Sequence, residues 1–386
     1  MLVKRRNYIL ALILLLNPVV IWAQTASYTQ NNAINSSLPK HNTQEAYEFF
    51  LSQDGVYSQH KDAPLGSVTW NDHKGVYAIN VEEDDPTNGD VVIYASGEFT
   101  LKTDSFDAEN IARWSVVNHP RSSGTDTIGS WKPLPDNATN GTNGAIFSSY
   151  RFDNNTMLTA GKFDQAEGNS ARIANWDEVA ETWSEWGTNT TSFNGFENAS
   201  DPTFFVVKKM EGDWFVGGRF EVPSGGDLFL ARNTGSSNAW NGVSGIDIND
   251  HKHIDNPGVY AMEDDNGNLY FGGLFQYQDS NFTQNNLFIC TDFSSGSCNS
   301  KEIWTGWPNN RVKALLKVPN GALYLGGDFT KVGSDEMISV AKKEDPTNDG
   351  STSALLDADT GEGITAGGVV NTMTVVNVME PDTPLG

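Results

Sequence analysis

The sequence predicts an all-β protein, a β-propeller of six blades, with five the alternative, each blade a four-stranded antiparallel sheet. Three observations predict it. A short motif, small-Gly-x-Phe at the end of an apolar strand, occurs five times at nearly constant spacing. Other apolar elements keep step with that motif. No long segment with a 3.6-residue period competes, and the connections are rich in Asn, Asp and Gly, as turns between short strands require.

In chain order, residues 1–23 come first. Lys4-Arg5-Arg6 followed by Ile9 to Leu16 and Val19 to Trp22 reads as a secretory signal peptide, with Ala23 at the cleavage position and Gln24 as the new N-terminus. The apolar stretch is interrupted at Asn17-Pro18 and is shorter than the ~20 residues that a membrane span needs. No later apolar run is long enough to span either, so no transmembrane segment is expected after signal removal. Residues 24–45 are dominated by Gln, Asn, Ser and Thr and read as a polar, disordered leader. Residues 46–386 are expected to form a single propeller domain.

The five motif copies are Ser96-Gly97-Glu98-Phe99, Ala160-Gly161-Lys162-Phe163, Gly217-Gly218-Arg219-Phe220, Gly272-Gly273-Leu274-Phe275 and Gly326-Gly327-Asp328-Phe329. Their phenylalanines are 64, 57, 55 and 54 residues apart, which chance does not produce. An apolar strand precedes each: Val76 to Ile79, Ala145 to Ser148, Thr203 to Val207, Val259 to Met262 and Val312 to Leu316. A strand centred on a small residue follows: Ile111-Ala112-Arg113, Ile173-Ala174-Asn175, Leu230-Ala231-Arg232, Ile289-Cys290-Thr291 and Val340-Ala341-Lys342. Trp131, Trp183, Trp240 and Trp304 open the next short strand, and the fifth copy lacks that tryptophan. The glycines are expected to let the backbone of one sheet approach an aromatic side chain of its neighbour, with Phe and Trp filling the space between blades. After the fifth copy, Gly367 to Val376 resembles the first strand of a sixth unit. Its outer strands are expected from Ala46 to Leu51, Gly55 to Ser58 and Ser67 to Trp70, closing the ring and removing exposed sheet edges.

The apolar strand, the Gly-Gly-x-Phe motif and Ile111-Ala112-Arg113-Trp114 together resemble the repeats of the fungal cortical cell-polarity marker family and of related secreted bacterial propellers. The resemblance covers about residues 70–376 and implies the propeller fold. The fungal proteins are longer and end in a membrane span with no counterpart here, so the resemblance implies no polarity role and transfers no site.

Composition narrows the function. With 25 Lys and Arg against 49 Asp and Glu, the formal net charge is −24, which repels nucleic acid and anionic membranes. Hydrophobic content of 38% is too high for a disordered acidic chain. Cys290 and Cys298, the only cysteines, flank an apparent turn at Ser294-Ser295-Gly296-Ser297 and are expected to form a disulfide; the alternative is that Cys290 is a buried small residue in the alanine slot of the other copies. Asp357, Asp359 and Glu362 offer alternating oxygens suited to Ca2+, and Glu82 to Asp90 is a second acidic stretch, although turns select Asp and Gly for backbone reasons alone. His251 and His253, beside Asp250 and Asp255, are a weaker metal candidate that reads as a polar loop. Zinc-protease, nucleophile-elbow and phosphate-loop motifs are absent. Glu98, Lys162, Arg219, Leu274 and Asp328, at the x positions, vary as residues lining a binding face would, although solvated strand-end positions vary just as freely. The expectation is therefore an exported, periplasmic or cell-surface, monomeric and non-enzymatic module that binds an extracellular protein or glycan. The alternatives are a carbohydrate-active hydrolase or lyase with axial carboxylates, and a structural module of a cell-surface assembly.

Overall fold

A computed structural model of the chain describes residues 49–52, 55–58, 69–85, 90–102, 107–116, 130–134, 140–153, 155–195, 202–222, 228–236, 238–246, 248–249, 257–278, 283–302, 307–318, 321–336, 339–343, 352–354 and 370. The signal segment, the leader, the His251 and His253 pair, Trp304 and the Asp357, Asp359 and Glu362 set lie outside the described residues. Among those described, the structure is all-β, and the single helical element is a 3-10 turn at Thr190–Ser192.

The chain divides into two compact units, one within His41–Val243 and one within Ser244–Gly386. Among the described residues the first unit holds three larger sheets, besides two two-stranded hairpins. Sheet I runs in chain order through Thr69–Asp85, Asp90–Lys102, Asp107–Val116 and Ser130–Lys132. Sheet II runs through Ala145–Asp153, Thr156–Lys162, Ile173–Asp177 and Thr182–Glu185. Sheet III runs through Thr203–Met210, Asp213–Glu221 and Leu228–Asn233, and its fourth position is a single bridge between Arg232 and Asn241 in place of a strand at Trp240. The second unit holds two sheets of the same plan. Sheet IV comprises Gly258–Asp265, Asn268–Gln278, Thr283–Ser294 and Ser297–Lys301; sheet V comprises Val312–Lys317, Leu323–Gly327, Val340–Lys343 and Thr352–Ala354.

Local sequence dictates the hairpins. Glu211-Gly212, Asn266-Gly267 and Ser295-Gly296 each place two successive residues at positive φ, 48° and 84°, 51° and 84°, and 51° and 83°. That pair of conformations matches a tight turn to the twist of the strands it joins.

Every copy of the motif is the second strand of its sheet, and each faces an irregularity in the first strand. The register skips one residue between Val76 and Ala78, Ile146 and Ser148, Phe204 and Val206, Val259 and Ala261, and Val312 and Ala314. These are β-bulges, with two residues opposite one. The bulge explains the motif's second glycine. A Cβ at Gly161, Gly218, Gly273 or Gly327 would stand 2.0 Å from Ala145 O, 2.2 Å from Thr203 O, 2.2 Å from Gly258 O or 2.0 Å from Arg311 O. The neighbour is therefore a carbonyl of the same sheet, and not the aromatic ring of the adjacent one that the sequence suggested. The first glycine does face an adjacent sheet, but through an aliphatic side chain: a Cβ at Gly272 would lie 2.6 Å from Val312 Cγ1.

All five motif phenylalanines are buried, each stabilising by about 2–3 kcal/mol relative to exposure, and three of them pack between two sheets. Phe163 packs with Tyr94 and Ile111 of sheet I and Ile146 and Met157 of sheet II. Phe220 packs with Leu158 and Ile173 of sheet II and Phe204 and Val216 of sheet III. Phe329 packs with Tyr270 and Leu287 of sheet IV and Val312 and Leu325 of sheet V. Phe99 is 3% exposed and Phe275 is fully buried.

A recurrent left-handed residue follows, where the chain re-enters the sheet: Asn110, Phe229, Asn286 and Ser339 have φ of 63°, 68°, 65° and 64°. Two of the four are asparagines that act as staples. Asn110 Oδ1 accepts from the Phe99 N–H at 3.2 Å, and its Nδ2 donates to Thr142 O at 2.7 Å. Asn286 repeats this with the Phe275 N–H and Pro308 O, at 3.3 and 2.9 Å. The staple ties the end of one motif to the lead-in of a later sheet.

Register corrects one sequence alignment. Gly272 pairs with Leu287 and Phe271 with Phe288, as Gly217 pairs with Leu230 and Val216 with Ala231. The alanine slot of the fourth copy is therefore Phe288, two residues before Cys290, whose small size had suggested it for that slot. Cys290 is free of that role and is bonded to Cys298 across the Ser295-Gly296 turn, with Cα atoms 5.8 Å apart. Of the proposed closing strands, Phe49–Ser52 and Gly55–Ser58 pair with each other as a separate hairpin, and Thr69–Asp85 belongs to sheet I. Val370 packs on Ala314 and Val340, covering Gly326; the rest of the candidate sixth unit lies outside the described residues.

Candidate binding surface

The side chains lifted by the bulges are the features of this fold that packing does not consume. Just before each bulge, Ile146, Phe204, Val259 and Val312 are fully buried. The extra residue has no register partner and is only partly buried; in order the five are Tyr77, Phe147, Phe205, Tyr260 and Lys313. A bulge bends its strand locally and re-aims one side chain, and bulges recur beside functional sites.

In the first unit the three lifted residues form a row. The Tyr77 and Phe147 ring centroids are 5.2 Å apart with planes at 41°, and Phe147 and Phe205 are 5.9 Å apart at 55°. These spacings lie within the range for favourable aromatic contact. Glu98, at the x position of the first motif, faces Tyr77. Burial, and secondarily the Glu98 charge, push the Tyr77 hydroxyl up to about 12.

In the second unit the same positions are charged or capped by charge. The Arg311 guanidinium lies over the Tyr260 ring at 4.9 Å from its centroid. Asp328, the x residue of the fifth motif, pairs with Lys313 at 3.0 Å and Arg311 at 3.6 Å. Lys313 is the bulge residue and Arg311 lies just before the bulge, so the x residue meets the bulge residue in sheet V, as Glu98 meets Tyr77 in sheet I. Four of the five first strands carry an aromatic residue at this offset in the sequence, a signal hidden because each sits inside an apolar run.

A cleft of about 220 Å³ opens in the first unit, lined by Asn143, Lys162, Phe163, Asp164, Arg172 and Pro202. Asn143 builds its wall: Oδ1 accepts from the Asp164 and Gln165 N–H groups at 3.1 Å each, and Nδ2 donates to Asp164 Oδ1 at 2.6 Å. Asn309 makes the equivalent clamp on the Thr330 and Lys331 N–H groups, so the clamp belongs to the scaffold.

A further cluster in the first unit is internal. Glu178 bridges Arg113 at 2.9 Å and Arg151 at 3.0 Å, and the Arg151 guanidinium lies 5.2 Å from the centroid of the Tyr94 ring. Burial, and then Glu178, raise the Tyr94 hydroxyl well above its ordinary value. Tyr94 is fully buried, so these groups hold sheets I and II together. The x residues Lys162, Arg219 and Glu98 are exposed or partly buried, whereas Leu274 is buried. Among the described residues no three His, Cys, Asp or Glu side chains are grouped to share a metal ion, and no helix is long and apolar enough to cross a membrane.

No protein-family model and no curated protein matches the chain. Among solved structures it is similar to the extracellular domain of a one component system from B. thetaiotaomicron, at 12% identity and TM-score 0.34, covering 77% of this chain and 35% of that one. It is also similar to a GH74 xyloglucanase from Xanthomonas campestris, at 10% identity and TM-score 0.25, covering 77% of this chain and 56% of that one. The chain thus spans about a third of the first protein and somewhat over half of the second. Likenesses of this size carry no activity across, and any function for this chain has to stand on its own bulges, rings and charges.

Proposed function

We propose that the protein is an exported β-propeller, of six blades, that acts as a non-enzymatic carbohydrate-binding module. The observation that carries this reading is the row of Tyr77, Phe147 and Phe205, raised on three successive bulges. The C–H face of a pyranose ring is apolar while its edges are polar. A row of partly exposed rings bordered by Glu98, Lys162 and Arg219 offers both surfaces at once. The five sheets of one plan support the propeller, since each needs a neighbour to cover its motif phenylalanine. The Cys290–Cys298 bond suits an oxidising compartment outside the cytosol. A protein partner is the less favoured ligand, because Ile79 and Val179 alone are exposed large hydrophobics among the described residues.

The test is a glycan array with the mature chain, followed by calorimetric titration of the best ligand. Phe147→Ala and Phe205→Ala are each expected to weaken binding roughly tenfold or more, in line with the loss of a central aromatic anchor. Val179→Ala, far from the row in sequence and 76% exposed, is expected to leave it unchanged. Release of reducing sugar from any bound polysaccharide would overturn the non-enzymatic reading. Binding only to a protein, unaffected by the ring substitutions, would overturn the carbohydrate one.

A further inference from the structure

Sheets II and V share a scaffold but treat the x-position charge in opposite ways. In sheet V, Asp328 is neutralised by Arg311 and Lys313. By register the equivalents in sheet II are Lys162 for Asp328, Ala145 for Arg311 and Phe147 for Lys313. Sheet II therefore has an alanine and a phenylalanine at the two positions that hold the counter-charges of Asp328 in sheet V. Arg172, which precedes the third strand of sheet II, lines the same cleft, and its Nε is buried without a hydrogen-bond partner. Neither Lys162 nor Arg172 has an ion-pair partner among the described residues. Asp164, the one carboxylate lining the cleft, already accepts from Asn143. The cleft thus carries two cations against one carboxylate in a chain of net charge −24. Uncompensated positive charge gathered in a concavity, on an otherwise acidic surface, is the arrangement that captures an anion.

We infer that this cleft receives the anionic group of a charged sugar, so that the ligand is an acidic glycan; this rests on the carbohydrate reading of the aromatic row. Lys162 pairs in register with Ala145, two residues before Phe147, and Asn143 and Pro202 lie just ahead of the first strands of sheets II and III, so the cleft lies at the leading ends of the strands that carry Phe147 and Phe205. A volume of about 220 Å³ is below the ~300 Å³ at which pockets begin to enclose drug-sized ligands, and suits one sugar ring or its charged substituent. Rings on the row hold the neutral faces of the chain, and the two cations read its charge.

The experiment titrates the mature protein with uronate oligosaccharides, their neutral methyl esters and a sulfated galactan oligosaccharide, at low and at 0.5 M salt. A charged oligosaccharide is expected to bind at least tenfold more tightly than its neutral counterpart, with the preference falling at high salt. Preference for uronate or for the sulfated sugar identifies which anion the cleft reads. Lys162→Gln, at an exposed position, is expected to abolish the preference of charged over neutral oligosaccharide. Arg172→Gln should act in the same direction, and Asp164→Asn should strengthen binding of the charged ligand. Equal affinity for charged and neutral oligosaccharides, or a Lys162→Gln variant that keeps the preference, overturns the anion cleft while the carbohydrate reading stands. No binding of any oligosaccharide overturns both.

Discussion

The carbonyl oxygen of Ala145 lies 2.0 Å from the point where a side chain on Gly161 would begin. No atom fits there unless the backbone of one strand moves. Gly161 is at an ordinary φ, so the requirement is for space and not for conformational freedom. Gly161→Ala is expected to lower unfolding free energy by about 3 kcal/mol, the upper end for forced overpacking. Gly235, whose nearest neighbour is the Asn238 Nδ2 at 3.6 Å, is the control, and Gly235→Ala should shift stability by less than about 1 kcal/mol. Urea denaturation of both variants checks the pair.

Asn286 allows two contributions to be separated. Asn286→Ala removes hydrogen bonds to the Phe275 N–H and Pro308 O and places a Cβ-bearing residue without local polar support at φ 65°. Asn286→Gly removes the same bonds but relieves the conformation. Both should destabilise, the alanine variant by about 1 kcal/mol more than the glycine one. Equal midpoints would show that the hydrogen bonds alone matter.

The Cys290–Cys298 bond closes a loop with a sequence separation of 8. Its removal by Cys290→Ser with Cys298→Ser is expected to cost about 2 kcal/mol, a modest value because the denatured chain gains little freedom from so short a loop. Both sulfurs are buried, so reduction under native conditions should be slow and should accelerate in urea. Thiol labelling followed by mass spectrometry reads this directly.

Tyr77 makes a prediction in pH. Its hydroxyl is raised to about 12 by burial and then by Glu98. A folded-state value above the unfolded ~10 means that the neutral form is favoured in the fold. Its contribution is complete below pH 10 and is lost as pH rises from about 10 to about 12. Absorbance titration should show late tyrosines, of which Tyr77→Phe removes one and leaves the buried Tyr94. Glu98→Gln should bring Tyr77 down part of the way, because burial is the larger cause and remains.

Much of the architecture could be read from the chain because one physical constraint repeats. Gly161, Gly218, Gly273 and Gly327 all meet a carbonyl, and Phe163, Phe220 and Phe329 all fill the gap between sheets, so the same residues recur at the same offset. The bulges were not legible. Val76-Tyr77-Ala78 and Val259-Tyr260-Ala261 read as uninterrupted apolar strands, and an unpaired residue is defined only by its partner strand. The slot of Cys290 was misplaced for a different reason. Phe288 follows Phe275 by the same 13 residues that separate Phe99 and Ala112, but the slot is an alanine in the other four copies, so the small Cys290 read as its occupant. The cleft depends on what Lys162 does not meet, which requires the register with Ala145.

The repeated bulge also has a consequence for how such a protein changes over time. Glycine and carbonyl fix the strand path, phenylalanine fixes the spacing of sheets, and the lifted residue takes part in neither task. Tyr, Phe, Phe, Tyr and Lys occupy that one position on five nearly identical frames. On the binding reading proposed above, a substitution there would alter the surface that meets the ligand while keeping the glycine–carbonyl contact and the spacing of the sheets.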